Sequence, residues 1–65
     1  MDYIVNAGKT KDDLRPACAF KSKELAIEGA EVMKSAGTRL KYFEVVYMPE
    51  DNDDINEVVW RSWEQ

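Results

Sequence analysis

Residues 22–37, SKELAIEGAEVMKSAG, predict one helix, and the other elements of the chain can be placed around it. Ser22 is a suitable N-cap and Gly37 a suitable C′ residue, so we expect the helix to end near Ala36. Apolar and small residues recur here with helical spacing and predict a single stripe that packs on a sheet. The residues of this stripe are Leu25, Ala26, Gly29, Ala30, Val32, Met33 and Ala36. Because glycine disfavours a helix interior by about 1 kcal/mol relative to alanine, we expect Gly29 to pack closely over an aromatic residue of the sheet.

The segment before the helix predicts one strand and leaves a second one open. Residues 2–7 are rich in strand-forming residues and end at Gly8, which predicts a β-strand. Residues 8–16 form a polar loop in this interpretation. Residues 17–20 are either a short strand that pairs with the first or an extended approach to the helix, and Pro16 would suit the start of an edge strand.

The segment after the helix predicts two antiparallel strands. Residues 39–48 alternate, and Pro49 ends the run. One predicted face consists of Leu40, Tyr42, Val46 and Met48, and the other of Phe43, Val45 and Tyr47. After an acidic turn, residues 57–63 return as a strand, with Val58, Trp60 and Ser62 on one face and Val59, Arg61 and Trp63 on the other. This alternation predicts that one tryptophan packs under the helix. The other is expected to be exposed or half-exposed at the chain end, or to cap the sheet edge.

These elements predict a single α+β domain over residues 1–65. The order is β(β)αββ, with a three- or four-stranded, mainly antiparallel sheet and one helix on one face. Both faces of the 39–48 strand carry apolar residues, so the sequence does not decide which face the helix covers. The other face is expected to expose an apolar patch that contains aromatic residues, and such patches usually mark a partner or a dimer contact.

Composition excludes several classes of function. The chain has 65 residues, no histidine and one cysteine. These counts exclude a zinc finger, an imidazole-based triad and a disulfide framework. No apolar run approaches the ~20 residues of a membrane span, and no signal peptide opens the chain. We therefore expect a small cytoplasmic domain.

No pattern in the sequence predicts catalysis, a cofactor or a metal. Cys18 has no histidine to activate it and is expected to be a small buried hydrophobe in an Ala-Cys-Ala run. Residues 6–10 contain Gly8-Lys9-Thr10 after a strand, but Tyr3 stands where a phosphate loop needs its first glycine. The acidic segment from Asp51 lacks the ligand spacing of an EF-hand. We expect no enzyme activity.

Charge is distributed unevenly along the chain, whose net charge is −4. Residues 1–41 carry +2, whereas residues 42–65 carry −6. Nucleic-acid binding would require the Lys and Arg side chains of the first half, with Tyr3, Tyr42 and Phe43 as stacking surfaces. The negative net charge opposes such binding. The second half instead favours a protein partner with a basic surface.

The layout of Phe20-x-Ser22, an alanine-rich helix, and a strand pair closed by Val58-Val59-Trp60 resembles very small phage-encoded proteins. These include inhibitors of host RNA polymerase and of bacterial defence systems. The resemblance covers the architecture of residues 3–63 and assigns no residue a role. It implies that the protein blocks a larger host protein by surface contact, with the acidic loop at residues 50–57 against a basic surface.

The sequence thus predicts a non-enzymatic interaction module. The expected binding residues belong to the acidic turn and to the uncovered sheet surface, and they are Glu50, Asp51, Asp53, Asp54, Glu57, Tyr42, Val46, Met48 and Trp63. Two alternatives stay open: a homo-oligomeric accessory module, such as a homodimer, and a nucleic-acid binder that uses the basic first half.

Overall fold

The computed structural model describes residues 2–37, 39–49 and 56–64 of the chain. It confirms the α+β class and resolves the strand left open by the sequence. The elements in chain order are β1 (Asp2–Gly8), β2 (Arg15–Phe20), α1 (Lys23–Ser35), β3 (Tyr42–Met48), β4 (Glu57–Arg61) and a 3₁₀ turn (Ser62–Glu64). The strands differ from prediction mainly at their ends, since β3 begins at Tyr42 rather than residue 39 and β4 ends at Arg61 rather than residue 63.

The four strands form one antiparallel sheet in the order β2-β1-β3-β4. The strand β1 lies inside the sheet, with Val5 opposite Cys18 of β2 and opposite Val45 of β3. Helix α1 links β2 to β3 across one face of the sheet. The strands β2 and β4 are the two edges.

A bulge in β4 corrects the alternation predicted for that strand. Val46 lies opposite Val58, whereas the preceding residue Val45 lies opposite Trp60, so Val59 is an extra residue. An extra residue shifts the side-chain alternation by one position. Val58 therefore shares a face with Val46 and not with Trp60. Val59, which was predicted to lie on the face opposite Trp60, packs against the core as Trp60 does.

The core lies between α1 and one face of the sheet. Its buried residues are Val5, Ala7, Ala26, Ala30, Phe43 and Val45. Phe43 and Val45 therefore face the helix, and by alternation Tyr42, Val46 and Met48 stand on the opposite face. Leu40 was assigned to that opposite face, which was wrong: it precedes β3 and packs against the core.

The ends of α1 match the sequence prediction. The Ser22 hydroxyl accepts a hydrogen bond from the Leu25 amide at 3.1 Å, as an N-cap should. Ala36 is the C-cap, and Gly37 has a φ of 74° in the left-handed region that suits glycine. A Cβ built on Gly29 would lie 2.6 Å from Cζ of Phe20, so the close packing over an aromatic residue is confirmed.

The predicted inward stripe of α1 was partly wrong. Ala26 and Ala30 are buried and Met33 packs against the core, but Leu25 is 53% exposed and Val32 62% exposed. Ala36 is exposed as well. Ile27, which the stripe omitted, packs against the core. The helix consequently leaves an apolar ridge outside the core.

Candidate functional site

The sheet face opposite α1, called the open face below, has no helix over it in the described part of the chain. Its central strands contribute Ile4, Asn6, Glu44, Val46 and Met48 to an open groove. The edge strands and the residue before β4 complete the lining with Pro16, Val58 and Asn56. Four strands or their flanks thus meet at one surface, which is mostly apolar at its centre.

The predicted residues on this face differ in what they offer a partner. Met48 and Tyr42 are half-buried, whereas Val46 is only 8% exposed because its neighbours cover it. Val58 is 38% exposed and presents more apolar surface than Val46. The sequence prediction missed Val58 because the bulge at Val59 is invisible to a simple alternation. Ile4 was missed too, although its strand alternation could have indicated it.

A polar network crosses the open face from β1 to β4. The carboxylate of Glu44 accepts a hydrogen bond from Nδ2 of Asn6 at 3.3 Å. Its other oxygen lies 3.6 Å from Nε of Arg61 on β4. Arg61 also contacts Glu64, at 3.1 Å between Nη1 and Oε1. These contacts fix the position of Arg61 and interrupt the apolar surface.

An aromatic pair lies at the end of the open face where β3 begins. The rings of Tyr42 and Trp63 meet edge to face, with centroids 5.6 Å apart. The Lys11 ammonium lies 6.0 Å from the Tyr42 centroid and 5.9 Å from that of Trp63, and Arg61 lies 5.9 Å from Trp63. Cations at these distances are attracted by the ring faces. The structure therefore brings Tyr42 and Trp63 together. It adds Lys11, one of the basic residues of the first half, and Arg61, which the sequence did not single out.

The two tryptophans have different environments. Trp60 packs against the core on the helix side, and Trp63 is half-buried in the 3₁₀ turn against Tyr42. One tryptophan under the helix and one at the chain end agree with the prediction. Phe43, a stacking surface in the nucleic-acid alternative, is fully buried, and Tyr3 packs against the core, so neither is available on the open face.

The acidic part of the predicted site falls mostly outside the described residues. Glu50, Asp51, Asp53 and Asp54 all lie there. Glu57 is exposed at the start of β4, opposite Tyr47. Because directly opposed residues share a face and Tyr47 alternates with Val46, Glu57 stands on the helix side of the sheet. The structure does not place Glu57 beside Tyr42 and Met48.

Cys18 packs against the core as expected for a small hydrophobe, although it is only partly buried. Burial raises the pKa of its thiol, which opposes ionisation to the nucleophilic thiolate. Within residues 2–37, 39–49 and 56–64, no group of three or more Cys, Asp or Glu side chains is arranged to hold a metal ion.

No protein-family model, curated protein or solved structure matches this chain. Among the residues that the structure describes, no helix is both long enough and apolar enough to cross a membrane. The function of the candidate site is therefore inferred from its geometry and chemistry alone.

Proposed function

We propose that this protein is a non-enzymatic interaction module that binds a larger protein through its open face. The observation that carries the proposal is the one-sided cover of the sheet. It leaves Val58 exposed in one groove with half-buried Met48, and it leaves the Tyr42–Trp63 pair at the end where β3 begins. In this proposal the protein acts in the cytoplasm and modulates its partner by contact, as phage-encoded inhibitors of host proteins do.

The composition of the open face supports a protein partner. Protein interfaces combine an apolar centre with aromatic and arginine side chains, which are the residue types most often responsible for binding energy. Here the polar contacts of Glu44 lie between the apolar groove and the Tyr42–Trp63 pair. Arg61 is held by Glu44 and Glu64. A side chain that is already positioned loses less conformational entropy when a partner binds.

In this proposal the partner recognises basic groups at one end of the open face and, separately, the acidic segment that follows β3 in the sequence. Tyr42, with Lys11 nearby, lies opposite Gly8, and Met48 lies opposite Asp2 at the other end of β3. The acidic residues 50–54 follow β3 in the sequence. A complementary partner would present basic groups to the acidic segment and acidic groups near Lys11 and Arg61.

Site-specific photo-crosslinking tests this assignment. A photoreactive amino acid at Val58 reports contacts of the open face, and one at Glu28 on the exposed outer side of α1 is the matched control. We expect one protein to be captured from Val58 and not from Glu28, and its capture to fall when Met48→Lys is added. Equal capture from both positions, or capture that Met48→Lys leaves unchanged, contradicts the assignment.

Charge reversal tests the electrostatic part of the proposal separately. Replacing Asp51, Asp53 and Asp54 by lysine should weaken binding of the captured partner and slow its association, more strongly at low salt. Unchanged affinity would remove the acidic segment from the binding surface and leave the open face in place.

A further inference from the structure

A second apolar surface lies on the other side of the molecule, where α1 adjoins the edge strand β2. Gly29 contacts the Phe20 ring, so this stripe of the helix is directed toward β2. Leu25 and Val32 lie four residues before and three residues after Gly29, which places them on the same stripe. We call Leu25, Val32 and Phe20 the β2-side ridge. It contains two of the three large hydrophobic residues that are exposed in the described part of the chain.

The strand β2 offers backbone groups beside this ridge. It pairs with β1 on one side, and no other described strand lies on its outer side. Exposed edges of this kind are normally protected by charged side chains, proline or bulges. In β2 the bulge and Pro16 affect the first half of the strand, while the half from Cys18 to Phe20 carries neutral side chains only.

We propose that the outer edge of β2 and the β2-side ridge together form the interface of a homodimer with two-fold symmetry. Antiparallel pairing of β2 with β2 of a second copy continues the sheet across the axis and places both helices on the same face. The ridges then approach each other above the paired strands, with Phe20 of each copy between them. The interface is isologous, so every contact occurs twice.

Charges at the two ends of β2 favour a second copy as the occupant. Asp13 and Arg15 form an ion pair at one end, at 3.5 Å, and Asp2 and Lys21 form one at the other, at 2.9 Å. Antiparallel pairing places each end of β2 next to the opposite end of β2 in the second copy. Two acidic and two basic side chains therefore meet at each end of the paired strands. The acids Glu57 and Glu64 lie in β4 and in the turn after it, at the other edge of the sheet, so their repulsion is weakest at β2.

The size of the core is a second reason for self-association. Three of the six buried core residues are alanine, and the described residues contain no disulfide or metal cluster. Domains of this size commonly add stability through a staple or through oligomerisation. A dimer of this geometry would join two small cores across the ridge. This interface is distinct from the open face, so the dimer would leave that surface accessible.

Sedimentation velocity over low micromolar to millimolar concentrations tests the proposal. We expect wild-type protein to dimerise, and Val32→Lys and Leu25→Lys to weaken dimerisation by roughly tenfold or more each, because apolar burial is lost. Val58→Lys is the matched control, since it replaces an exposed valine on the open face and should leave dimerisation unchanged. A monomer at all concentrations overturns the proposal, as does a dimer that Val58→Lys disrupts or that neither ridge variant weakens.

A direct measurement of the interface separates binding from folding effects. NMR on a mixture of isotope-labelled and unlabelled wild-type protein should give intermolecular contacts between the β2 strands (residues 15–20) of the two copies and between Val32 and Phe20. Contacts confined to Met48 and Val58 would instead assign the dimer to the open face and refute the β2 interface. Far-UV circular dichroism of each variant shows that it is folded.

Discussion

Gly29 lies so close to Phe20 that a Cβ on the helix would overlap the ring, at 2.6 Å from Cζ. We predict that Gly29→Ala lowers the free energy of unfolding by about 1 kcal/mol, since displacement of the ring outweighs the helix propensity gained. In a Phe20→Ala background the same change should raise it by up to about 1 kcal/mol. Denaturant unfolding of the double-mutant cycle measures both, and the same sign in both backgrounds would contradict this packing.

The Ser62 side chain satisfies a backbone amide near the start of β3 that has no partner in β4. Its hydroxyl accepts a hydrogen bond from the Phe43 amide at 3.1 Å. Pairing of β3 with β4 begins only at Glu44, one residue later. We predict that Ser62→Ala destabilises the protein by about 1–3 kcal/mol, because it leaves a buried amide without an acceptor. Exposed Ser35→Ala is the control and should change thermal or denaturant unfolding by less than about 0.5 kcal/mol.

Gly8 is required by the path of the loop that follows β1. A Cβ at this position would lie 2.1 Å from the backbone oxygen of Asp13, and backbone cannot move aside as a side chain can. We expect Gly8→Ala to destabilise the fold more than Gly37→Ala, where the Cβ meets open space and only the φ of 74° is unfavourable. Comparable losses in urea unfolding would show that the loop adapts to the added methyl group.

The Asp2–Lys21 contact gives a pH-dependent prediction. The hydrogen bond and charge of Lys21, at 2.9 Å, lower the pKa of the Asp2 carboxyl below its ordinary value of 3.8. A lowered folded-state pKa adds stability above the unfolded-state pKa, and this stability disappears as pH falls through the folded-state value. NMR titration should show the Asp2 pKa rising toward 3.8 in Lys21→Met or at high salt. An unchanged pKa in both cases would exclude this contact as its cause.

Cys18 should react slowly for a partly accessible thiol. Burial raises its pKa above 9.0, so very little thiolate is present at neutral pH. Its labelling by a thiol reagent should be slower in folded than in denatured protein. The labelling rate of the folded protein should keep rising with pH in a range where the rate for a small-molecule thiol has already levelled off. The Cys18 thiol ionises at lower pH in the unfolded state than in the folded state. The free energy of unfolding of the wild type should therefore fall relative to that of Cys18→Ala as pH rises above 9. A folded-state labelling rate equal to that of denatured protein would refute the raised pKa.

Local signals were sufficient to predict much of this fold. Ser22 and Gly37 define the helix ends through hydrogen bonding and backbone conformation within a few residues, and these effects do not depend on the rest of the molecule. The unfavourable position of Gly29 in a helix correctly indicated a close aromatic contact. The alternation of β3 likewise gave two apolar faces, one for the core and one for the open face.

The remaining features depend on contacts between distant segments. The extra residue Val59 follows from how β4 meets β3, so strict alternation wrongly grouped Val58 with Trp60 on one face. Leu25 and Val32 fit an apolar helical stripe, but the small sheet covers only part of that stripe and Ile27 fills the core in their place. The pairing of Tyr42 with Trp63 could not be predicted either, because the 3₁₀ turn redirects the chain after Arg61.

The interior position of β1 has a consequence for folding during synthesis. The first strand made can pair with β2 at once, but its second neighbour β3 is made only after the helix. Until then Val5 and Ala26 lack Phe43 and Val45, the residues that complete their burial. A nascent chain that ends before residue 42 should therefore remain only loosely structured and expose the inner edge of β1. Emergence of β3 from the ribosome is thus the event that commits the chain to its native sheet.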